Sequence, residues 1–251
     1  MLTPIRHQTI LSMLKEKDIV QIHELVEATG VSESTIRRDL SDLEEQGLLK
    51  RVHGGAISIQ NKIDEPTMIE KSIKHKKEKL AIARYAASLV KERDTIFLDA
   101  GTTTLQMIAF LPSDQIVVVT NGVDCAMKLI QRNIKTILLG GELKASTWSL
   151  VGREAVNSIS QYRFDKCFLG INGIDHVHGL TTPDPEEAHV KQLAIKYSDE
   201  RFVLCDSSKF SRVTFAKVGD LHEVNVITDD ALNEKEQEIY QKLTNLKVVR
   251  R

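Results

Sequence analysis

The sequence predicts an α/β protein in which a small helical part precedes a larger part built on a sheet, and three observations carry this. From about residue 80 onward, short β-branched and apolar runs alternate with helical spacings, the pattern of a parallel sheet covered on both faces. Ahead of residue 58, helical repeats are separated by a glycine turn and end in a short apolar and basic ribbon. The 251 residues, 41% of them apolar, suffice for one large domain and one small one.

Within residues 5–17, Ile10, Met13 and Leu14 recur at helical spacing, and the β-branched pair Ile19-Val20 starts a short strand. Ile22, Leu25, Val26 and Thr29 repeat the spacing up to Gly30, which ends that helix. Ser32 then caps a helix running to Gln46, with Ile36, Leu40 and Leu43 on one stripe. At 100° per residue, Ser34, Arg38 and Ser41 lie opposite that stripe, with Arg37 on their flank and the hydroxyl of Thr35 beside them. Gly47 stops the helix, and Leu48, Leu49, Lys50, Arg51 and Val52 form a ribbon before His53 and the turn pair Gly54-Gly55. Two helices across a glycine turn followed by a basic ribbon are the outline of a winged helix-turn-helix, which implies double-stranded operator DNA as a partner. A three-helix bundle without a ligand shares the glycine turn, but it has no need of the paired arginines or the basic ribbon.

General basicity plays no part in this expectation. The chain carries a net charge of −1, and residues 1–60 hold seven Lys or Arg against nine Asp or Glu. Binding then depends on a local patch in which Arg6, Arg37, Arg38, Lys50, Arg51 and His53 share one side while Glu24, Glu27, Glu44 and Glu45 face away. Three cysteines, Cys125, Cys167 and Cys205, lie far apart in apolar segments, which fits reduced, buried thiols in a cytoplasmic protein. No run approaches the roughly 20 apolar residues of a spanning helix, so neither export nor a membrane partner is expected. His176, His178 and His189 are near one another in sequence, but the first two lie in a stretch rich in Gly, Thr and Pro with no cysteine nearby, and no metal is expected.

Residues 58–79 break the composition, with six lysines against four acids and one proline. They read as a linker passing into a helix, and the lysine run as a solvated helix face. The domains are accordingly 1–57, 58–79 as linker and start of a connecting helix, and 80–251. In the last, helices at 80–91, 102–110, 123–131 and 185–197 alternate with strands at 95–98, 116–119, 136–139, 166–169, 202–205 and 224–228. This is a Rossmann-like doubly covered sheet. In such sheets ligands bind beyond the carboxyl ends of the strands, and the residues there read alike: Asp99-Ala100-Gly101-Thr102-Thr103-Thr104, Thr120-Asn121-Gly122, Gly140-Gly141-Glu142-Leu143, the segment 170–175 containing Asn172 and Asp175, and Asp206-Ser207-Ser208-Lys209. Small residues admit a ligand to the backbone, hydroxyls donate, and a helix start behind Gly101 presents free N–H groups to an anion such as phosphate.

The stretch TIRRDLSDLEEQGLLKRVHGG resembles the N-terminal signature of the DeoR (glycerol-3-phosphate repressor-like) family of bacterial transcription regulators over roughly residues 5–57. The resemblance implies a recognition helix at 32–46 that enters the major groove, with Arg37 and Arg38 at the family's paired-arginine positions and Lys50, Arg51 and His53 on its wing. Lys79 of EKLAIA matches a lysine that begins the helix leading into the family's effector domain. GTTT, TNG, GGEL, VG, GINGID, EEAHVK and DSSKF also match that domain, which resembles the ribose-5-phosphate isomerase and glucosamine-6-phosphate deaminase group of folds. By this match the effector is a phosphorylated sugar or polyol, with Thr102, Thr103, Thr104 and Lys209 at its phosphate and Asn121, Asp175 and Glu187 nearer the sugar. The opening MLTPIRHQTIL together with STIRRDLSDLEEQGLLKRVHGGA is similar to the fructose-operon repressors of the family, which implies fructose 1-phosphate. The family relation further implies a homodimer or homotetramer.

The alternative is a sugar-phosphate isomerase joined to a DNA-binding domain. Isomerisation needs a carboxylate base and groups that stabilise an enediolate, which Asp99, Asp175, Glu187 and Lys209 would have to provide. The sequence departs from the isomerase pattern, however. Asn172 stands where those enzymes open an Asp-Gly-Ala-Asp motif, and HVHGLTTPDPEE replaces the glycine-rich lysine segment that follows there. An asparagine is neither acid nor base. Repression controlled by a bound ligand, without turnover and without a cofactor, is the expected function.

Overall fold

Ile36, Leu40 and Leu43, the apolar stripe of the expected recognition helix, are all buried, together with Ile10, Leu14, Leu25 and Leu49. Such a core closes when three amphipathic helices face one another over a small sheet. The computed structural model describes residues 1–17, 19–58, 62–112 and 115–250, with the backbone alone for Lys15 and Glu16. The chain divides into two compact units, Met1–Asn61 and Lys62–Arg251.

The first unit runs α1 (Thr3–Lys17), β1 (Ile19–Gln21), α2 (Ile22–Thr29), α3 (Glu33–Glu45), β2 (Leu49–Val52) and β3 (Gly55–Ser58). Its three strands pair antiparallel in the order β1-β3-β2, the helix-turn-helix with a wing that the sequence predicts. Glycine is obligatory at the tip of the wing: a Cβ on Gly55 would stand 2.2 Å from the carbonyl oxygen of Val20.

The second unit opens with α4 (Met68–Ile73) and α5 (Lys76–Ser88). Residues 59–61 of the expected linker lie outside the described residues, and from Lys62 on the segment belongs to this unit. Thr67 and Glu70 form a capping box that starts α4, and Met68 is buried. Lys79, expected on a solvated face, is buried as well.

There follow β4 (Thr95–Leu98), α6 (Thr102–Met107) with a 3-10 turn at Ile108–Phe110, β5 (Val117–Thr120), α7 (Val123–Gln131), β6 (Lys135–Leu138), β7 (Glu142–Lys144), β8 (Ser149–Val151), α8 (Arg153–Ile159) and β9 (Phe164–Gly170). The chain finishes with β10 (Gly173–Asp175), β11 (Gly179–Thr182), α9 (Pro185–Lys196), β12 (Ser198–Leu204), β13 (Ala216–Gly219), β14 (Asn225–Asp229), α10 (Glu234–Gln241) and β15 (Asn245–Val249).

Seven parallel strands form the central sheet in the order β15-β14-β12-β9-β4-β5-β6. Along β4 the side chains alternate faces, so that Ile96 and Leu98 join one core and Phe97 the other. Residues of α5, α6 and α7 fill the first core, and residues of α8, α9 and α10 fill the second. From β4 the chain adds β5 and β6 on one side, then returns to place β9, β12, β14 and β15 on the other. That reversal falls at the carboxyl ends of β4 and β9, the place where open α/β sheets bind ligands. The stretch around His176 and His178 is the turn of a β10–β11 hairpin, whose second strand pairs with β13 in a small antiparallel sheet.

Candidate functional site

On α3, the Ser32 hydroxyl accepts from the Thr35 amide at 3.4 Å and shares hydrogen bonds of 2.9 Å with the hydroxyls of Ser34 and Thr35. Thr35 thus belongs to the cap, while Ser34 remains exposed beside it. Arg37 is exposed and pairs with Glu33 one turn back, with Nε and Nη2 at 3.1 and 2.5 Å. Ser41 donates to the carbonyl of Arg37 at 3.0 Å and accepts from Arg51 Nη1 at 2.6 Å. Glu44, expected to face away from the basic side, instead accepts from the Arg51 backbone N–H at 2.7 Å. These contacts fasten the wing to the helix. Arg38, Lys50 and His53 are exposed and carry no ion pair or hydrogen bond among the described residues.

Arg6 does not join this patch. Its Nε and Nη2 lie 2.7 Å from the two carboxylate oxygens of Asp39, and both residues are buried. The hydrogen bonds from Arg6 hold the Asp39 carboxyl below its ordinary range, with His7 at 3.2 Å adding to them. The pair braces α1 against α3. Asp39 stands three residues after Ile36, and so within the apolar stripe; a carboxylate there signals a buried cation, and sequence reasoning missed it.

In the second unit, Asp99 follows β4 and is buried to 1% exposure. Its Oδ2 accepts from the Gly170 amide at 2.9 Å and from the ammonium of Lys191, so it links the ends of β4 and β9 to α9. Burial pushes the Asp99 carboxyl up against the pull of Lys191, whereas Asp99 and Glu187 keep the buried Lys191 protonated against its own desolvation. Asn121, after β5, accepts from the Ala100 amide at 2.9 Å, which fixes the loop entering α6. Gly101 precedes that helix, and Thr102 and Thr103 lie in its first turn, both buried. The Thr104 hydroxyl turns back onto the carbonyls of Asp99 and Gly101 at 2.7 and 2.8 Å. It therefore shapes the loop and does not point outward.

Glu187, on the first turn of α9, accepts from the hydroxyls of Thr147 and Ser149 at 2.6 and 3.2 Å and from Lys144 at 3.3 Å. Burial by itself would raise its carboxyl, but Lys191, Lys144 and Thr147 bring it down to about 2. Lys144 also meets Glu65 and, at 2.5 Å, Asp184. The three carboxylates of Glu65, Asp184 and Glu187 come within 4.8 Å of one another, with the Lys144 ammonium bonded to all three. That ammonium already supplies the cation such a cluster needs. Among the described residues, His176, His178 and His189 do not bring ligand atoms together.

Lys209 follows β12 beside Asp206, and the two influence one another electrostatically. Lys79, from α5, shares that surrounding. Its burial, opposed by Asp206 but reinforced by Lys209, Lys71 and Lys74, lowers it to about 8. Three of the expected residues serve the chain itself. Asp175 accepts from the amides of Val177 and His178 at 2.8 Å and so folds the β10–β11 turn. Asn172 accepts from the Thr182 hydroxyl at 3.0 Å, across the same hairpin. Gly141 has φ +133°, and a Cβ there would meet the Val151 carbonyl oxygen at 2.5 Å, so glycine is needed for backbone passage against β8. Sequence reasoning missed Lys144, Lys191 and Glu65. Lys191 was legible in principle, as a charge one turn after Glu187 on the face that also carries Ala194 and Ile195.

All three cysteines are buried and free, and burial raises their thiols, that of Cys167 to about 11. No helix among the described residues is long and apolar enough to cross a membrane.

A family model described as a DeoR-like helix-turn-helix domain matches residues 6–62, and one described as a DeoR C terminal sensor domain matches residues 74–230. Among curated proteins, the chain is 50% identical over 251 residues to "Uncharacterized HTH-type transcriptional regulator FruR" of Bacillus subtilis (strain 168), covering 100% of both chains. It is 35% identical to the lactose phosphotransferase system repressor of Staphylococcus epidermidis (strain ATCC 35984), covering 93% of this chain and 95% of that one. It is also 35% identical to the glycerol-3-phosphate regulon repressor of Escherichia coli (strain K12), over 90% of each. Among solved structures, ribose 5-phosphate isomerase A of Methanocaldococcus jannaschii overlaps 53% of this chain and 53% of its own, with a TM-score of 0.40 and 20% identity. The chain thus spans about half of that isomerase, and the fold rests on the strand order above, not on this likeness.

Proposed function

The chain belongs to the DeoR family of DNA-binding transcriptional regulators, and from that membership we propose that it represses a sugar-utilisation operon under the control of fructose 1-phosphate bound in the second unit. The observation that carries the reading is the reversal of strand order between β4 and β9. There Asp99, Lys191 and the loop Gly101–Thr104 meet at the ends of β4 and β9. The phosphate seats on the amides of residues 102–104, with Lys209 as its cation and Lys79 and Lys71 adding to the field. Asn121 and Glu187 lie toward the sugar. Asp175 and Asn172 act indirectly, by holding the β10–β11 hairpin.

Catalysis has no part in this. Glu187 and Asp99 are each committed to a lysine and to backbone or hydroxyl donors, and a carboxylate so held, as Glu187 is at about 2, makes a poor proton acceptor. On DNA, Arg38 reads bases in the major groove, Ser34 and Arg37 flank it, and Lys50, Arg51 and His53 meet phosphates from the wing. The protein acts as a homodimer or homotetramer on repeated half-sites in the cytoplasm. A thermal-shift panel of phosphorylated sugars tests the ligand, because binding to the native state raises apparent stability. Fructose 1-phosphate is expected to raise the midpoint. Strong stabilisation by a different sugar phosphate, with none from fructose 1-phosphate, would overturn that assignment.

A further inference from the structure

Residues 62–73, the first of the second unit, are stitched to it at several points. The Phe215 amide donates to the Lys62 carbonyl at 3.0 Å, and the Met68 amide donates to the Ser146 carbonyl at 2.9 Å. Between them, Glu65 turns inward. Its side chain is 8% exposed although Asp64 and Pro66 are exposed, and its carboxylate takes Lys71 at 3.1 Å and the ammonium of Lys144. Lys144 is the cation shared with Asp184 and Glu187, and Glu187 lies in the field of Lys191, the partner of Asp99. Glu65 therefore belongs to a charged cluster that runs through Lys144, Glu187 and Lys191 to Asp99.

The carboxylates of this cluster are not held alike. Asp99 has the Gly170 amide, Asp184 caps α9 through the Glu186 amide at 2.8 Å, and Glu187 has two hydroxyls. Glu65 is held by the two ammonium groups. A phosphoryl dianion offers Lys71 more charge and three acceptor oxygens. The cluster member free to leave is also the one carried by the segment nearest the winged helix in sequence.

We propose that Glu65 is an internal anion seated on Lys144 and Lys71 until the phosphoryl group of a ligand held at the loop 101–104 draws Lys71 away from it, and that this exchange releases residues 62–73. The exchange rests on the reading above that a phosphorylated ligand binds this unit. Release of the strap changes the attachment of the segment that leads from the winged helix, and this is how occupancy reaches operator affinity.

Hydrogen exchange on the full-length protein reads the strap directly. Inorganic phosphate, compared with chloride at equal ionic strength, is expected to speed exchange across 62–73 several-fold. Glu65→Gln is expected to show that faster exchange without phosphate, and to bind phosphate roughly tenfold more tightly, a change of about 1.4 kcal/mol. Lys144 keeps Asp184 and Glu187 in this variant, so no buried cation is stranded. Lys71→Met, which removes one of the two holds on Glu65, is expected to speed exchange in the same segment to a smaller extent. Unchanged exchange with phosphate, or phosphate affinity in Glu65→Gln no higher than in the parent, overturns the strap. If phosphate frees 62–73 but no sugar phosphate alters operator binding, the effector reading and the link from strap to operator fail, while the exchange at Glu65 stands. If sugar phosphates release the operator while 62–73 stays protected, the strap fails and the effector reading stands.

Discussion

The winged helix leaves several cations in water, whereas the sensor unit buries cations and pairs them with carboxylates. Arg38, Lys50 and His53 are exposed and unpartnered among the described residues, while Lys191 is 3% exposed and bonded to Asp99. The contrast follows from the ligands. DNA supplies a dense row of phosphates to whatever cations face it, so those cations need only be free and correctly spaced. A small ligand must be recognised by groups already desolvated, and in its absence those groups have to satisfy one another. Arg6–Asp39 obeys the second rule inside the first unit, as a brace, and so lies outside the DNA patch.

The largest expected effect tests the buried side of this contrast. Lys191→Met leaves Asp99 without its cation and is expected to destabilise the sensor unit by about 3–5 kcal/mol, measured by urea unfolding followed through Trp148, the single tryptophan. Burial pushes the Asp99 carboxyl up, so folding favours its protonated form, and the deficit should shrink on acidification. A loss under about 1 kcal/mol at pH 7 would mean that the pair is not an obligatory part of the fold.

Lys79 gives a smaller, pH-dependent effect. Its value of about 8 in the folded chain lies below its ordinary 10.5, so the unfolded chain binds more protons between those two values. The cost of holding Lys79 charged is fully present below pH 8 and disappears as pH rises to 10.5. Relative to Lys79→Met, the parent protein should gain up to about 3 kcal/mol across that window. Parallel stability curves for the two proteins would contradict this.

The exposed side should respond through binding and not through stability. Arg38→Ala is expected to weaken operator binding by about 1–3 kcal/mol with little loss on random DNA. Lys50→Ala should weaken both modestly and lower the salt slope by about one. Equal losses on specific and random DNA for Arg38→Ala would make Arg38 a phosphate contact.

The same contrast explains what the sequence discloses. Strong periodicity gives α7 its bounds at 123 and 131, and the apolar runs locate β4, β9 and β12. Three-residue strands such as β7, β8 and β10 have too few positions to display a period, so the sequence does not disclose them. The exposed arginines of α3 are legible because the apolar stripe has no use for Arg38 opposite it or for Arg37 on its flank. The buried network is harder to read, since its members are distant in sequence: Asp99 and Lys191 are 92 residues apart, and Lys144 and Glu65 are 79 apart. What the sequence does offer is the anomaly of a charge inside an apolar stripe, at Asp39 and at Lys191. In both places the structure supplies an ion pair.

Operator binding titrated with phosphorylated sugars tests most directly whether the two regions work as one regulator. Fluorescence anisotropy of a labelled operator, with fructose 1-phosphate and a panel of other sugar phosphates, is expected to reveal a change in Kd of roughly 5–150-fold with the cognate ligand. An operator affinity that no phosphorylated sugar alters would contradict the account.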